Sequence, residues 1–195
     1  MALPAKKRLS YAEYLRLEQE TGIRHEYLDG EVVAMAGGTL RHSRLKTNLT
    51  VDVSVALGDG PCQAYDADAK IRIAESGLST YPDLSVICGD PVRDGMDKHA
   101  ANNPTALFEV LGTGTEAWDR GGKRLHYRKL ESLQEYVLVD HREPRVEVYT
   151  RTGPDVWEHR VFEAGQQARL TSIGIALSVD RLYRNLPPPP ENDAG

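Results

Sequence analysis

Two acids lie inside apolar runs. Asp83 belongs to Tyr81-Pro82-Asp83-Leu84-Ser85-Val86-Ile87, and Glu109 to Ala106-Leu107-Phe108-Glu109-Val110-Leu111. A carboxylate carried into an apolar layer costs several kcal/mol unless it is paired or bound to a cation. If the two strands are neighbours, both carboxylates reach one end of a sheet. Converging oxygens of that kind suit Mg²⁺ or Mn²⁺. Such an ion would orient a water against a phosphodiester and stabilise the leaving oxygen. Asp68, on the polar side of the preceding strand, is a candidate third acid or a support for the first two. Spacing alone leaves the alternative that these are exposed acids at strand ends.

Other residue types fit the same chemistry. Asp119, Lys123 and Tyr127 recur at i, i+4 and i+8, which lines one helix face; a surface ion pair beside a packed tyrosine is the alternative. His42 could meet a phosphate or a metal-bound water, or serve as a helix-cap or core histidine. Glu26 could approach from a hairpin, or be a plain hairpin-face acid. Residues 112–130 carry five Lys or Arg against two acids, and Arg41, Arg44 and Lys46 form a second basic run. Two basic helices beside an acidic centre suit a polyanion, with Arg41, Arg44, Lys46, Arg120 and Arg124 as candidate nucleic-acid contacts. Two solvated helix faces are the competing reading. Gly112-x-Gly114 has neither the spacing nor the lysine of a phosphate loop.

The elements that must hold these residues are legible in outline. Ser10 and Glu13 form a capping box that opens a helix over Tyr11–Glu20, closed at Gly22. Asp29-Gly30 predicts a hairpin turn between Arg24–Leu28 and Glu31–Ala36. Thr39 caps a second helix running to about Leu57, with Leu45, Leu49, Val53 and Ala56 at helical spacing. Alternation over Cys62–Ile73 predicts one strand, with Asp66, Asp68, Lys70 and Arg72 on its polar face. Tyr81–Cys88, Thr105–Leu111 and Leu133–Asp140 are further strands, a polar loop spans 89–103, and a basic helix spans about 116–130. From Arg145 the pattern is a β-hairpin. This order predicts an α+β chain with one central mixed sheet. Residues 1–186 form one domain, and 187–195 a Pro-rich disordered tail.

Composition excludes other classes. The chain has 195 residues, 24 Lys and Arg against 29 Asp and Glu, 40% hydrophobic and 27% charged residues. These values suit an ordinary folded domain and exclude collagen-like or low-complexity chains. No run approaches the ~20 apolar residues of a membrane span, and no apolar stretch follows Lys6-Lys7-Arg8 as a secretory signal requires. The two cysteines, Cys62 and Cys88, have no metal-ligand spacing and read as free thiols of a cytoplasmic protein.

The motifs together resemble the Uma-two family, described as restriction endonucleases of the PD-(D/E)XK superfamily. The resemblance runs over about residues 10–185. It is carried by His25-Glu26-Tyr27-Leu28-Asp29-Gly30-Glu31, His42, Asp68-Ala69-Lys70-Ile71-Arg72-Ile73, Tyr81-Pro82-Asp83-Leu84-Ser85-Val86 and Phe108-Glu109-Val110-Leu111. It continues in Thr115-Glu116-Ala117-Trp118-Asp119-Arg120-Gly121-Gly122-Lys123, Tyr127 and Leu133 to Val139. The resemblance implies a restriction-endonuclease-like core: a central mixed sheet flanked by helices, with an N-terminal helix-hairpin and a C-terminal β-hairpin added. It implies that Asp83 and Glu109 hold Mg²⁺ or Mn²⁺, that DNA is the substrate, and that the chain forms a homodimer. Val146, Val148 and Trp157 are the candidate dimer surface. The superfamily's lysine stands two residues after the second acid, where this chain has Leu111. The resemblance implies instead a lysine moved to the following helix, which is Lys123. Gly112 and Gly114 stand where Ser and Pro are expected.

Asp83, Glu109 and Lys123 together favour a metal-dependent endonuclease that hydrolyses DNA phosphodiester bonds. Leu111 and the glycine turn favour the alternative, a non-catalytic nucleic-acid-binding or interaction module on the same fold. A small-molecule hydrolase would need a nucleophile motif such as Gly-x-Ser-x-Gly, which is missing.

Overall fold

The computed structural model describes residues 8–35 and 37–188. Ser10 caps α1 (Tyr11–Thr21) with both halves of the capping box made, and Gly22 closes it. Strands β1 (His25–Leu28) and β2 (Glu31–Ala34) pair antiparallel across the turn. Asp29 (φ 46°) and Gly30 (φ 93°) both take the left-handed conformation that a two-residue turn of this hand requires. Thr39 accepts the His42 N–H and opens α2 (Leu40–Leu57).

The alternating stretch from Cys62 divides. Strand β3 (Cys62–Asp66) and strand β4 (Lys70–Ile73) belong to different sheets. The Asp66 carboxylate accepts the Asp68 N–H at 3.0 Å, and Asp66 O accepts the Ala69 N–H at 3.0 Å. This local turn competes with continued pairing. A strand not expected from the sequence, β5 (Leu78–Thr80), comes next, and the strand expected over Tyr81–Cys88 begins only at Leu84 as β6 (Leu84–Cys88). Pro82 between them has no N–H for a ladder. Asp83 thus stands at a joint where the chain crosses between sheets. The loop expected over 89–103 contains the short β7 (Ala100–Ala101), parallel to β4.

Strand β8 (Ala106–Val110) leads through a glycine turn into a helix. Its π-helical part is Trp118–Lys123 and its α-helical part α3 is Arg124–Tyr127. A Cβ on Gly122 would stand 1.9 Å from the Trp118 ring, so only glycine lets that indole lie along the wide turn. Then follow β9 (Glu135–Val139), β10 (Arg145–Arg151), β11 (Trp157–Glu163), β12 (Gln167–Leu170), β13 (Ile175–Ser178) and α4 (Val179–Leu182).

The chain is α+β, with its strands shared between two larger sheets. One is six-stranded, ordered β11-β10-β9-β8-β6-β3, with β8 and β9 parallel. The other is five-stranded, ordered β2-β1-β5-β4-β7, and β12-β13 form a separate ribbon. Alternation along β8 serves two cores. Ala106, Phe108 and Val110 face α2, α4 and the ribbon, packing on Leu45, Leu49, Ala168 and Leu182. Leu107 and Leu111 face the other way, toward Ile71, Ile73, Leu78 and Tyr127. Glu109 shares that second face, so it is carried into the layer between the six-stranded sheet, β4–β5 and the third helix.

Several expectations are corrected. Cys62 and Cys88 are joined as a disulfide, not left as free thiols; they are directly opposed on β3 and β6. Lys70 and Arg72 are buried rather than on a solvent face. Lys70 Nζ meets Glu18 and Asp97 at 2.7 Å each, and Arg72 lies 4.0 Å over the Tyr11 ring. Val146 and Val148 are core residues, 0% and 2% exposed, and cannot form a dimer surface. No helix among the described residues is long and apolar enough to cross a membrane. Residues 1–7 and the expected tail beyond Pro188 lie outside the described residues.

Candidate active site

The acids, the two lysines and His42 share one cleft of about 390 Å³. Its floor is Asp83, Glu109, Asp119 and Lys123, and Glu26, His42 and Lys46 stand on its walls. Residues 112–115 and Trp118 close one side, and Met35, Gly37, Gly38 and Thr39 the other.

Asp83 is clamped at one oxygen. Its Oδ2 accepts the Val110 N–H at 2.8 Å, and its own N–H points to Glu109 Oε2 at 3.4 Å. These backbone contacts, which follow from the joint before β6, bring the two carboxylates side by side. Helix α2 supplies the rest. His42 Nε2 lies 2.8 Å from Val110 O, which makes it the protonated nitrogen, and 3.8 Å from Asp83 Oδ2. Lys46, one turn further on, places its ammonium 3.1 Å from Asp83 Oδ1. A Cβ on Gly38 would stand 2.6 Å from His42 Nδ1, so this glycine is what leaves room for the imidazole.

Lys123 gathers the other acids. Its Nζ is 2.9 Å from Glu26 Oε1, 3.2 Å from Glu109 Oε1 and 3.2 Å from Asp119 Oδ1. The Tyr127 hydroxyl donates to Glu109 Oε1 at 2.7 Å. Thr80 donates to Glu26 Oε1, and the Trp118 indole to Glu26 Oε2 at 3.3 Å. Burial, with Asp119 and Asp83 nearby, pushes the Glu109 carboxyl up to about 8 against the pull of Lys123. Burial likewise raises Asp119, again opposed by Lys123. Burial alone would lower Lys123, but Glu109, Glu26 and Asp119 hold it well above its ordinary value. Four carboxylates thus face two ammonium groups across one cleft.

Among the described residues no three acid, imidazole or thiol groups stand as a ready-made metal cage. Mg²⁺ does not need one: it is commonly held by one or two carboxylates, with water and substrate phosphate completing its shell. Asp83 and Glu109 are the pair that fits.

The other candidates fall elsewhere. Asp68 does not join the cluster; it is exposed in the turn after β3 and paired with Arg24. Arg41 spends its guanidinium on the carbonyls of His141, Arg142 and Pro187. Arg120 is bound to Glu116 and Glu147 at 2.7 Å each, and Arg124 lies 4.8 Å over the Tyr149 ring. Arg44 is exposed on α2. Sequence reasoning missed Thr80 and Trp118 as supports of Glu26, and nothing in their spacing could have found them. The contact of Lys46 with Asp83 did leave a trace, its i, i+4 spacing from His42.

The Uma2 family model, described as "Putative restriction endonuclease", matches residues 11–180. This chain belongs to the Uma2 family. An uncharacterized protein of Synechocystis sp. is 36% identical over 179 residues, covering 92% of this chain and 93% of the relative. A second uncharacterized Synechocystis protein is 34% identical over 157 residues, covering 80% and 89%. A crystal structure described as a "putative nuclease belonging to DUF820", from Anabaena variabilis, superposes with a TM-score of 0.73 at 21% identity. It covers 90% of this chain and 97% of that one. At that identity the likeness establishes a shared fold. Asp83, Glu109, Lys123 and Tyr127 all lie within the span that the family model matches.

Proposed function

We propose that this Uma2 protein is an endonuclease that hydrolyses DNA phosphodiester bonds with Mg²⁺ or Mn²⁺. Asp83 and Glu109 hold the ion, and Lys123 serves the reaction. The observation that carries this reading is the juxtaposition of Asp83 and Glu109 at the floor of a cleft with too few positive charges. Glu109, pushed up to about 8, keeps a proton at neutral pH. Asp83 and Glu109 would hold a divalent cation, which would favour the ionised form of Glu109 and balance the carboxylates.

When bound, the ion supplies Lewis-acid polarisation of the phosphoryl oxygen and a water of lowered pKa. The protein's own groups do the rest. The Val110 N–H fixes one oxygen of Asp83. Tyr127 and Lys123 fix Glu109 Oε1, which leaves Oε2 turned toward Asp83. The ammonium of Lys123 stays charged and offers its N–H groups to the attacking water and to charge developing on the phosphate. Lys123 thereby stands in for the cation that Leu111 cannot supply.

Purified protein with Mg²⁺ or Mn²⁺ should nick supercoiled plasmid, and Asp83→Asn should abolish nicking while the protein stays folded. Equal nicking by both proteins would mean a contaminant is cutting. DNA binding without nicking under any divalent ion would instead support the non-catalytic module. We further propose one functional domain over residues 1–186, a homodimer, and action in the cytoplasm, where reductants would open the Cys62–Cys88 bond. Light scattering that gives a monomer at high concentration overturns the dimer.

A further inference from the structure

The two lysines of the cleft differ in how they are held. Lys123 meets three carboxylates and its side chain is only 8% exposed. Lys46 meets one, Asp83 Oδ1, and is 31% exposed on the cleft wall. The two oxygens of Asp83 are also unequal. Oδ2 is tied to the Val110 N–H, whereas Oδ1 has Lys46 as its cation.

We propose that Lys46 is an exchangeable cation: it occupies the ion-facing oxygen of Asp83 in the free protein, yields it to the metal, and then binds a substrate phosphate. This rests on the metal-dependent nuclease reading and adds to it a residue outside the Asp83, Glu109 and Lys123 set. An ammonium and a divalent ion cannot share one carboxylate oxygen at close range without strong repulsion. Lys123 cannot leave without stranding the buried Glu109 and Asp119 and the half-buried Glu26. Lys46 can, because its four-carbon stem is flexible and its head already borders water. Once released it remains at the cleft wall, where a phosphate brought to the ion would meet it. The arrangement gives the empty site a counter-charge and gives the loaded site a phosphate contact with one side chain.

The test uses the full chain and Mn²⁺ as the probe, read by calorimetry without nucleic acid. Lys46→Gln should bind Mn²⁺ roughly three- to tenfold more tightly than wild type, since its competitor is gone. Arg44→Gln removes an equal charge from the same helix and should leave Mn²⁺ affinity within about twofold of wild type. Anisotropy of a phosphorothioate DNA oligonucleotide supplies the second readout. In Mn²⁺, Lys46→Gln should bind it several-fold more weakly than wild type; without Mn²⁺ the two should bind alike. Mn²⁺ affinity that is unchanged or weaker in Lys46→Gln overturns the proposal and leaves the metal-centre reading standing. An equal gain in Arg44→Gln also overturns it, because bulk charge would then explain the effect. Failure of every protein, wild type included, to bind Mn²⁺ overturns both readings. Equal thermal midpoints in the three proteins show that the fold has not changed.

Discussion

The ammonium of Lys123 lies 3.2 Å from Glu109 Oε1, joining a π-helical turn to a central strand of the six-stranded sheet at the floor of the cleft. Lys123 is the shared cation of Glu26, Glu109 and Asp119, and removing it leaves these acids without compensation, a loss of the kind that typically costs about 3–5 kcal/mol.

Lys123→Met should therefore destabilise the metal-free protein by roughly 3 kcal/mol or more and should abolish nicking. Urea unfolding of wild type and variant measures the first. A loss under about 1 kcal/mol, the range of an exposed pair, would show that the lysine is not buried among the acids.

Glu109 makes stability depend on pH; the raised Asp119 acts in the same sense and the lowered His126 in the opposite one. The folded value of Glu109, about 8, lies above the ordinary 4.5, so between these limits the folded state holds a proton that the unfolded chain releases. Stability then falls as pH rises through this window. Asp97 and Glu147 are shifted downward, so their contribution is lost only at acidic pH, below this window. Thermal midpoints measured from pH 5 to pH 8 in chelator should decline for wild type. In Glu109→Gln, which has nothing to ionise there, the decline should be markedly shallower. Parallel profiles would show that Glu109 is not the group responsible.

The adjacent glycines of the π-helical turn should respond unequally. A Cβ on Gly121 meets nothing within 4 Å, whereas one on Gly122 meets the Trp118 ring at 1.9 Å. Gly121→Ala should be neutral or slightly stabilising, as expected of alanine in a helix. Gly122→Ala must push the indole off Glu26, and should lower both stability and activity. Trp118 fluorescence reports the displacement directly. Equal behaviour of the two variants would contradict this packing.

The disulfide is remote from the acids. Cys88 ends β6 and Asp83 precedes its first residue, a separation of roughly 17 Å along an extended strand. The bond closes a loop with a sequence separation of 26 residues. Its removal in Cys62→Ser/Cys88→Ser should cost roughly 3 kcal/mol of stability on chain-entropy grounds. Nicking per folded molecule and Mn²⁺ affinity should be unchanged. A loss of either would mean that this end of β6 influences Asp83.

The sequence by itself determined what depends on near neighbours. The Ser10 and Glu13 capping box, the Asp29-Gly30 turn and the Thr39 cap all rest on contacts within a few residues, and each can be read locally. Asp83 and Glu109 stood out because an acid in an apolar run needs a partner wherever the run ends up. Only the tertiary structure decided who the partners are. Glu26 reaches Lys123 from the N-terminal hairpin, Lys46 reaches Asp83 from α2, and Glu147 takes Arg120 away from the cleft. The same holds for the exclusion of Asp68. Period-two alternation through Ile73 is compatible with one strand, but the Asp66 turn sends β3 and β4 into separate sheets and leaves Asp68 in water beside Arg24. Local energies select turns and caps among few alternatives. Which charge meets which across the chain depends on how sheets and helices pack, and spacing along the sequence does not encode that.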